Sequence, residues 1–285
     1  MKNFRIKEEL VFLMLALPSL LGVLIFYLIP FAVSIYLATV DNSVLWNFVG
    51  LKNFKDVIAN QAFQLGIQNT CVFLAWCVPL NMIFPLSIAL LLKNNKNLKN
   101  ICGIIFLLPL VIPSGSIAFF WQSIFGINGL INGLYFSDSP ENWLSSDYAM
   151  SIILLIFLWK NIGYNMILFL TALNFIPKEY YECARVEGAG RIRSFFSITL
   201  IYLIPTSFLV LIMSLMNSFK SFKEIYLLAG NYPHPSIYML QHYMNNQFAA
   251  ANYQRLASAS YILSAAIAFV VAFLLYSQNK VAKDF

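Results

Sequence analysis

Ile176-Pro177-Lys178-Glu179-Tyr180-Tyr181-Glu182-Cys183-Ala184-Arg185-Val186-Glu187-Gly188-Ala189-Gly190 is the most telling stretch of this 285-residue chain. Pro177 suits a first helical turn, because its missing N–H would be unpaired there anyway. Glu179 and Glu182 lie near the positive end of that helix's dipole. Gly188 and Gly190 are placed to stop it, since glycine tolerates the left-handed C-cap conformation. The result is a short helix of mixed charge followed by a bend, shaped to dock on something. Its flanks set the fold: Tyr148 to Pro177 is broken only by Lys160, and Ser194 to Phe219 carries no charge.

Four further uncharged windows run from Leu10 to Val40, Val57 to Leu92, Asn100 to Ser137 and Leu256 to Asn279. A bilayer core needs roughly 20 apolar residues to cross it as a helix. With polar ends trimmed, six spans fall near 10–37, 67–92, 101–125, 149–175, 197–219 and 257–278, with the loop 176–196 between spans four and five. Composition agrees, at 60% hydrophobic and 11% charged with mean hydropathy +0.73, against about 25% charged in an average soluble domain. The runs are continuous rather than alternating, which excludes a β-barrel. The first run is too long for a signal peptide's apolar region and contains Pro18 and Pro30, so it is read as a helix. The expectation is an all-α membrane protein, one transmembrane domain over residues 1–285.

The formal net charge of +6 belongs to topology. Twelve of the eighteen basic residues fall at the N-terminus (Lys2, Arg5, Lys7), in 93–100 (Lys93, Lys96, Lys99), in 176–196 (Lys178, Arg185, Arg191, Arg193) and at the C-terminus (Lys280, Lys283). The opposite side holds five, Lys52, Lys55, Lys220, Lys223 and Arg255, over longer segments. By the positive-inside rule both termini are cytoplasmic. Nucleic acid is not needed to explain the charge, because the bases lie between apolar runs rather than on one solvated face. Cys71, Cys77, Cys102 and Cys183 form no C-x-x-C pair and, with His234 and His242, no zinc spacing. They read as small buried apolar residues.

The loop resembles the hallmark of permease subunits of ATP-binding-cassette importers of the carbohydrate-uptake class: Glu-Ala-Ala, three residues, Gly, nine residues, Ile-x-Leu-Pro. Glu182, Cys183 and Ala184 take the first places, Gly188 follows at the same spacing, and Ile198 and Leu200 come nine residues later. Two departures stand out: Cys183 replaces Ala, and Ile201 replaces the final Pro, which should straighten the start of span five. Phe48-Val49-Gly50-Leu51-Lys52-Asn53-Phe54, Asn69-Thr70, Trp121 and Asn128 to Asn132 are similar to segments of the same family, so the resemblance covers nearly the whole chain. It implies the type I importer permease fold, in which this coupling helix sits in a cleft of the ATPase subunit and passes nucleotide-driven closure to the spans. The residues so implied are Glu182, supplying a charge for register, Cys183, Ala184 and Ala189 for close approach, and Gly188 for the turn.

Lys160 is the one charge inside a span, near the midplane, and a lipid-facing cation there costs about 2.5–3.5 kcal/mol. It should therefore face a bundle interior. Tyr164, four residues on, shares its helical face, and Asn161 accompanies it. Ser214, Asn217, Ser218 and Ser221 form one stripe along span five. Such groups either hydrogen-bond neighbouring helices or, as the resemblance to maltose-type permeases implies, meet a sugar together with Asn161 and Tyr164. Two readings of Lys160 stand: a partner for an anionic substrate, or a structural pair with Glu224 or a backbone carbonyl. Ala229-Gly230-Asn231-Tyr232-Pro233-His234-Pro235 reads as a turn facing an extracellular binding protein.

The function expected is a permease subunit, without catalytic or metal site, that passes a sugar or oligosaccharide across a bacterial plasma or inner membrane. The chain has no G-x-x-x-x-G-K-[ST] loop, so ATP and Mg belong to partner subunits. The implied partners are two ATPase subunits, a second homologous permease, an extracellular solute-binding (lipo)protein, the sugar and membrane lipid, with no nucleic acid. The alternative is a stand-alone secondary transporter of a polar solute, which should show internal repeats or further intramembrane ionisable groups. An intramembrane enzyme should show clustered His, Asp or Glu within the spans, and none is present.

Overall fold

The computed structural model describes residues 14–41, 46–93, 95–136 and 138–283. Lys2, Arg5, Lys7 and the first residues of the expected span 10–37 lie outside them. Eleven helices carry the described chain: α1 Met14–Thr39, α2 Lys52–Ala59, α3 Gln61–Leu92, α4 Lys96–Val111, α5 Ser114–Phe125, α6 Leu130–Tyr135, α7 Ala149–Phe175, α8 Lys178–Val186, α9 Arg191–Ala229, α10 Leu240–Ala249 and α11 Tyr253–Lys283. Six stretches are long and apolar enough to cross a membrane. The protein is an all-helical, multi-pass membrane protein.

Two span boundaries differ from the sequence reading. The third span, expected as 101–125, is broken at Ile112 and Pro113, both extended (ψ 129° and 142°), so that Ile101–Val111 is a shorter apolar helix and the membrane-length stretch is Ser114–Tyr135. Pro113 has no N–H to donate and disfavours helical backbone at the residue before it. The fifth, expected as 197–219, runs as α9 from Arg191 to Ala229. With Ile201 in place of proline, its start stays helical, through one π-helical turn at Phe195–Thr199.

The chain folds as two compact units. The first joins the chain up to Gln61 with Met244–Ile267. In it, Asn53 of α2 donates to the carbonyls of Ala38 (3.0 Å) and Val40 (2.7 Å), closing the open end of α1. Tyr261 of α11 donates to the Phe31 carbonyl and pairs with the Ser34 hydroxyl at 2.9 Å.

The second unit, Ala62–Tyr243 with Ala268–Phe285, holds the core. That core is two apolar clusters rather than one. Phe73, Ile117, Ile152, Phe157 and Ile225 belong to the first, and Ala89, Met166, Leu173, Leu203 and Val210 to the second. On α3, α7 and α9 alike the clusters are separated along the helix, and polar residues fill the interval. Only Cys77 of the cysteines is fully buried; Cys71 and Cys183 are exposed and Cys102 half-buried, which corrects the reading of all four as buried. One face of α3 packs inward at Asn69 and Thr70, and Cys71 falls on the opposite side.

Candidate functional site

The interval between the two apolar clusters is a belt of hydrogen-bonded side chains. Asn81 of α3 donates to the Ser214 hydroxyl of α9 at 2.9 Å, and Asn165 of α7 donates to the same oxygen at 3.2 Å. Asn165 also donates to the Asn81 carbonyl at 3.1 Å. The sequence explains that bond. Pro85 lies four residues after Asn81 within α3 and has no N–H to give, so the Asn81 carbonyl is left without its helical donor. In hydrocarbon such a group must find another partner, and Asn165 provides it. The Oδ1 atoms of Asn81 and Asn165 are buried and have no hydrogen-bond partner among the described residues.

A second part of the belt starts one turn earlier on α7. Asn217 of α9 donates to Asn161 Oδ1 at 3.0 Å, while Asn161 donates back to the Phe157 carbonyl at 2.9 Å. Beside it, Lys160 Nζ forms an ion pair with Glu224 Oε1, and Ser114 Oγ, at the start of α5, donates to the same oxygen at 2.8 Å. The Lys160 side chain is 22% exposed and that of Glu224 8%. Breaking a buried pair by removing one partner typically costs 3–5 kcal/mol. Of the two readings of Lys160, the geometry realises the pair with Glu224.

The residues of the expected stripe divide. Ser214 and Asn217 bridge helices, whereas Ser218 donates to the Leu215 carbonyl (2.6 Å) and Ser221 to the Asn217 carbonyl (3.1 Å) of their own helix. Tyr164 is half-buried and takes no part in these bonds. Lys160 and Tyr164 share one face of α7, as their spacing requires, and Asn161 and Asn165 share the adjacent one, turned toward α3 and α9. Asn81, Asn165 and Ser114 were not assigned to the site from sequence, although a polar residue within an apolar run was the available signal for each; Glu224, just past the uncharged run, entered only as a possible partner of Lys160. Gly163 was also missed. A Cβ there would lie 1.9 Å from the Phe106 carbonyl oxygen of α4, so only glycine admits this backbone approach.

At one end of this unit lies α8. Pro177 precedes it as N-cap (φ −58°, ψ 138°) rather than occupying its first turn. Gly188 has φ +79°. The Ala189 N–H donates to the Ala184 carbonyl at 2.8 Å and the Gly188 N–H to the Arg185 carbonyl at 3.0 Å. These two bonds are a Schellman motif, which satisfies the last carbonyls of the helix. Gly190 is not left-handed (φ −71°, ψ 170°) and caps the start of α9 instead. Glu182, Cys183 and Gly188 are exposed, Ala184 and Ala189 half-buried, and Val186 is 89% exposed. Tyr181, unremarked in the sequence, ties α8 down: its hydroxyl lies 2.8 Å from Thr199 Oγ1 and 3.3 Å from Lys93 Nζ.

The connection between α9 and α10 is seated on the other end of α3. Asn69 donates to the carbonyls of Pro235 (2.6 Å) and Tyr238 (2.9 Å), and Thr70 accepts from the Leu240 N–H (3.0 Å). His242 Nδ1 accepts from the Met239 N–H at 3.0 Å. Its ring is fully buried, and burial pulls its pKa down to about 4.

Membrane-length helices, a buried polar belt and the exposed helix α8 are the features a transport permease needs, and comparison with known proteins agrees. Residues 69–281 match the family model for the binding-protein-dependent transport system inner membrane component. The chain is 32% identical over 243 residues to the probable ABC transporter permease protein YesP of Bacillus subtilis, covering 80% of this chain and 78% of that one. It is 30% identical over 225 residues to the arabinooligosaccharides transport system permease protein AraP of the same organism, covering 75% and 70%. Its fold matches a chain of a bacterial ABC transporter involved in the import of the acidic polysaccharide alginate, with TM-score 0.81 and 22% identity over 98% of this chain and 99% of that one. The protein belongs to the family of binding-protein-dependent transport system inner membrane components.

Proposed function

We propose that the chain is one of two permease subunits of an ATP-driven importer, passing a sugar or short oligosaccharide delivered by an extracellular binding protein. The observation that carries this reading is the belt between the apolar clusters. A sugar asks for many neutral donors and acceptors at one level of the membrane, and Asn161, Asn217, Ser214 and their neighbours supply them. The names of relatives such as AraP support the same substrate class.

In this reading α8 docks on an ATPase subunit through the exposed face that carries Glu182, Cys183 and Gly188. Two ATPase chains bind ATP and Mg and do the hydrolysis; this chain contributes the lever. Tyr181 transmits the motion, because it holds α8 against Thr199 of α9 and Lys93 beyond α3. The bias of twelve basic residues against five supports α8 and both termini on the cytoplasmic side. The seat on the far end of α3 then faces outward, toward the binding protein.

The test is copurification in mild detergent followed by reconstitution. A complex with two ATPase subunits and a second permease is expected, with ATP hydrolysis stimulated by loaded binding protein. Glu182→Arg should cut that stimulation at least tenfold while the complex still purifies. Recovery of a lone, transport-competent chain would instead establish the secondary transporter.

A further inference from the structure

Lys160 and Glu224 sit where a substrate of the proposed importer would pass, and their chemistry bears on which substrate that is. A lone mid-membrane cation is an anion site. Here the cation is already met by Glu224 of α9, and that carboxylate is fixed in turn by the Ser114 hydroxyl of α5 at 2.8 Å. Three helices therefore converge on one neutralised pair. The pair borders a small cleft whose remaining wall is apolar, made by Ile153, Ile156, Phe157 and Ile225, with Ser221 beside them.

An anionic substrate gains little from this arrangement. To reach Lys160 its carboxylate must displace Glu224, whose side chain is 8% exposed, and a buried carboxylate stripped of its partner is heavily penalised. Until that exchange the two carboxylates repel each other across a medium that screens them poorly. A hydroxyl meets neither obstacle. The ammonium has three N–H donors and spends one on Glu224 Oε1, and the carboxylate has a second oxygen that accepts. A sugar hydroxyl both donates and accepts, so it fits a neutral pair without separating it.

We infer that Glu224 is a specificity-determining residue that cancels the charge of Lys160, so that the pathway takes uncharged, hydroxyl-rich substrates and discriminates against acidic ones. This rests on the sugar-import reading above. It also separates this chain from the alginate importer whose fold it shares, since that system is involved in moving an acidic polysaccharide.

The complete complex, with both permeases, its ATPases and its binding protein, is reconstituted in proteoliposomes, and uptake of arabinotriose and of trigalacturonate is measured side by side. The quantity read is the acidic-to-neutral uptake ratio, compared between variants that share one binding protein, so that the binding protein's own preference cancels. Glu224→Gln should raise that ratio at least tenfold, and Lys160→Met/Glu224→Gln should return it to the wild-type value. Glu224→Asp, which keeps the charge but shortens its reach, is the second variant if Glu224→Gln does not assemble, and it should raise the ratio severalfold. Melting of the four-member cycle checks the pairing without any transport: each single change should cost at least tenfold in folded population, and the double change less than the two together. A wild-type complex that moves trigalacturonate as readily as arabinotriose, an unchanged ratio in Glu224→Gln, or additive melting losses would overturn the inference. Uptake of neither sugar would overturn the proposed function instead, with the melting cycle still deciding the pair.

Discussion

The α8 loop and the polar belt are both assigned to function, yet they are built in opposite ways. The loop's cap closes on itself, from Ala189 to Ala184 and from Gly188 to Arg185, with Tyr181 as its tie to Thr199 and Lys93. The belt is made across the fold, joining Asn81 to Ser214, Asn165 to Asn81, Asn217 to Asn161 and Lys160 to Glu224. A self-closed element can tolerate change without harm to the rest of the molecule, whereas a belt that ties three helices together cannot. Damage to the belt should therefore register as lost folding, and damage to the loop as lost coupling.

The largest effect is expected where the belt region is most tightly closed. Gly163→Ala drives a methyl into the Phe106 carbonyl, 1.9 Å from where the Cβ would sit, and that carbonyl is backbone in α4 rather than a side chain able to turn away. The cost should reach about 3 kcal/mol or more, the upper end of ordinary overpacking. Thermal melting of the detergent-solubilised protein should show it as loss of most folded material. A variant that melts like wild type would mean that α4 and α7 are not held in this contact.

Asn165→Leu is the next test. It removes the one side chain among the described residues that replaces the donor missing at Pro85, and leaves the buried Asn81 carbonyl unpaired, at a cost of about 1–3 kcal/mol. The control sharpens the reading. Pro85→Ala restores an N–H for that carbonyl, so Asn165→Leu should cost less in the Pro85→Ala background. Equal losses in both backgrounds would show that Asn165 matters for another reason.

The seat at the far end of α3 is as long-range as the belt, but its weak point is titratable. Buried His242 has its pKa lowered to about 4 from a usual value near 6.5. The unfolded chain thus binds a proton that the folded chain resists, and stability contributed by neutral His242 is lost as pH falls from about 6.5 toward 4. Between pH 7.5 and pH 5 the loss should be about 2 kcal/mol. Melting temperature measured across that range should fall in wild type and flatten in His242→Phe. A parallel decline in both would assign the acid sensitivity elsewhere.

How much of each region was legible in the sequence follows from the same contrast. Glycine and charge spacing in 176–190 reveal a capped helix because every bond of the cap lies within a few residues, and only the places of Pro177 and Gly190 differ from that reading. Charge gaps reveal the spans because hydrophobic length is also a local property. The break at Pro113 was not legible from the proline alone, since Pro79, Pro85, Pro109 and Pro205 lie inside continuous helices, and an unbroken apolar composition hid it. The belt was legible only by halves. Its residue types stand out against apolar runs, yet nothing local tells Ser214, which bridges helices, from Ser218, which bonds its own backbone. Gly163 gave no signal at all, because the atom that requires it is in a different helix.

The smallest structural effect should carry the clearest functional one. Gly188→Ala places a Cβ on backbone at φ +79°, which costs about 1–2 kcal/mol for an L-residue. Nothing lies within 4 Å of the added atom, so no steric clash adds to the strain. The variant should relieve that strain by loosening the turn between α8 and α9, leaving the belt and both apolar clusters intact. Melting of the solubilised protein should therefore drop only slightly, while ATP hydrolysis stimulated by loaded binding protein should fall severalfold in the reconstituted complex. Gly188→Asn, which tolerates the left-handed region better than alanine, should recover part of the stimulation. If Gly188→Ala instead melted as early as Gly163→Ala, the loop would be a structural member of the fold, and the contrast between a self-closed lever and a cross-linked belt would fail.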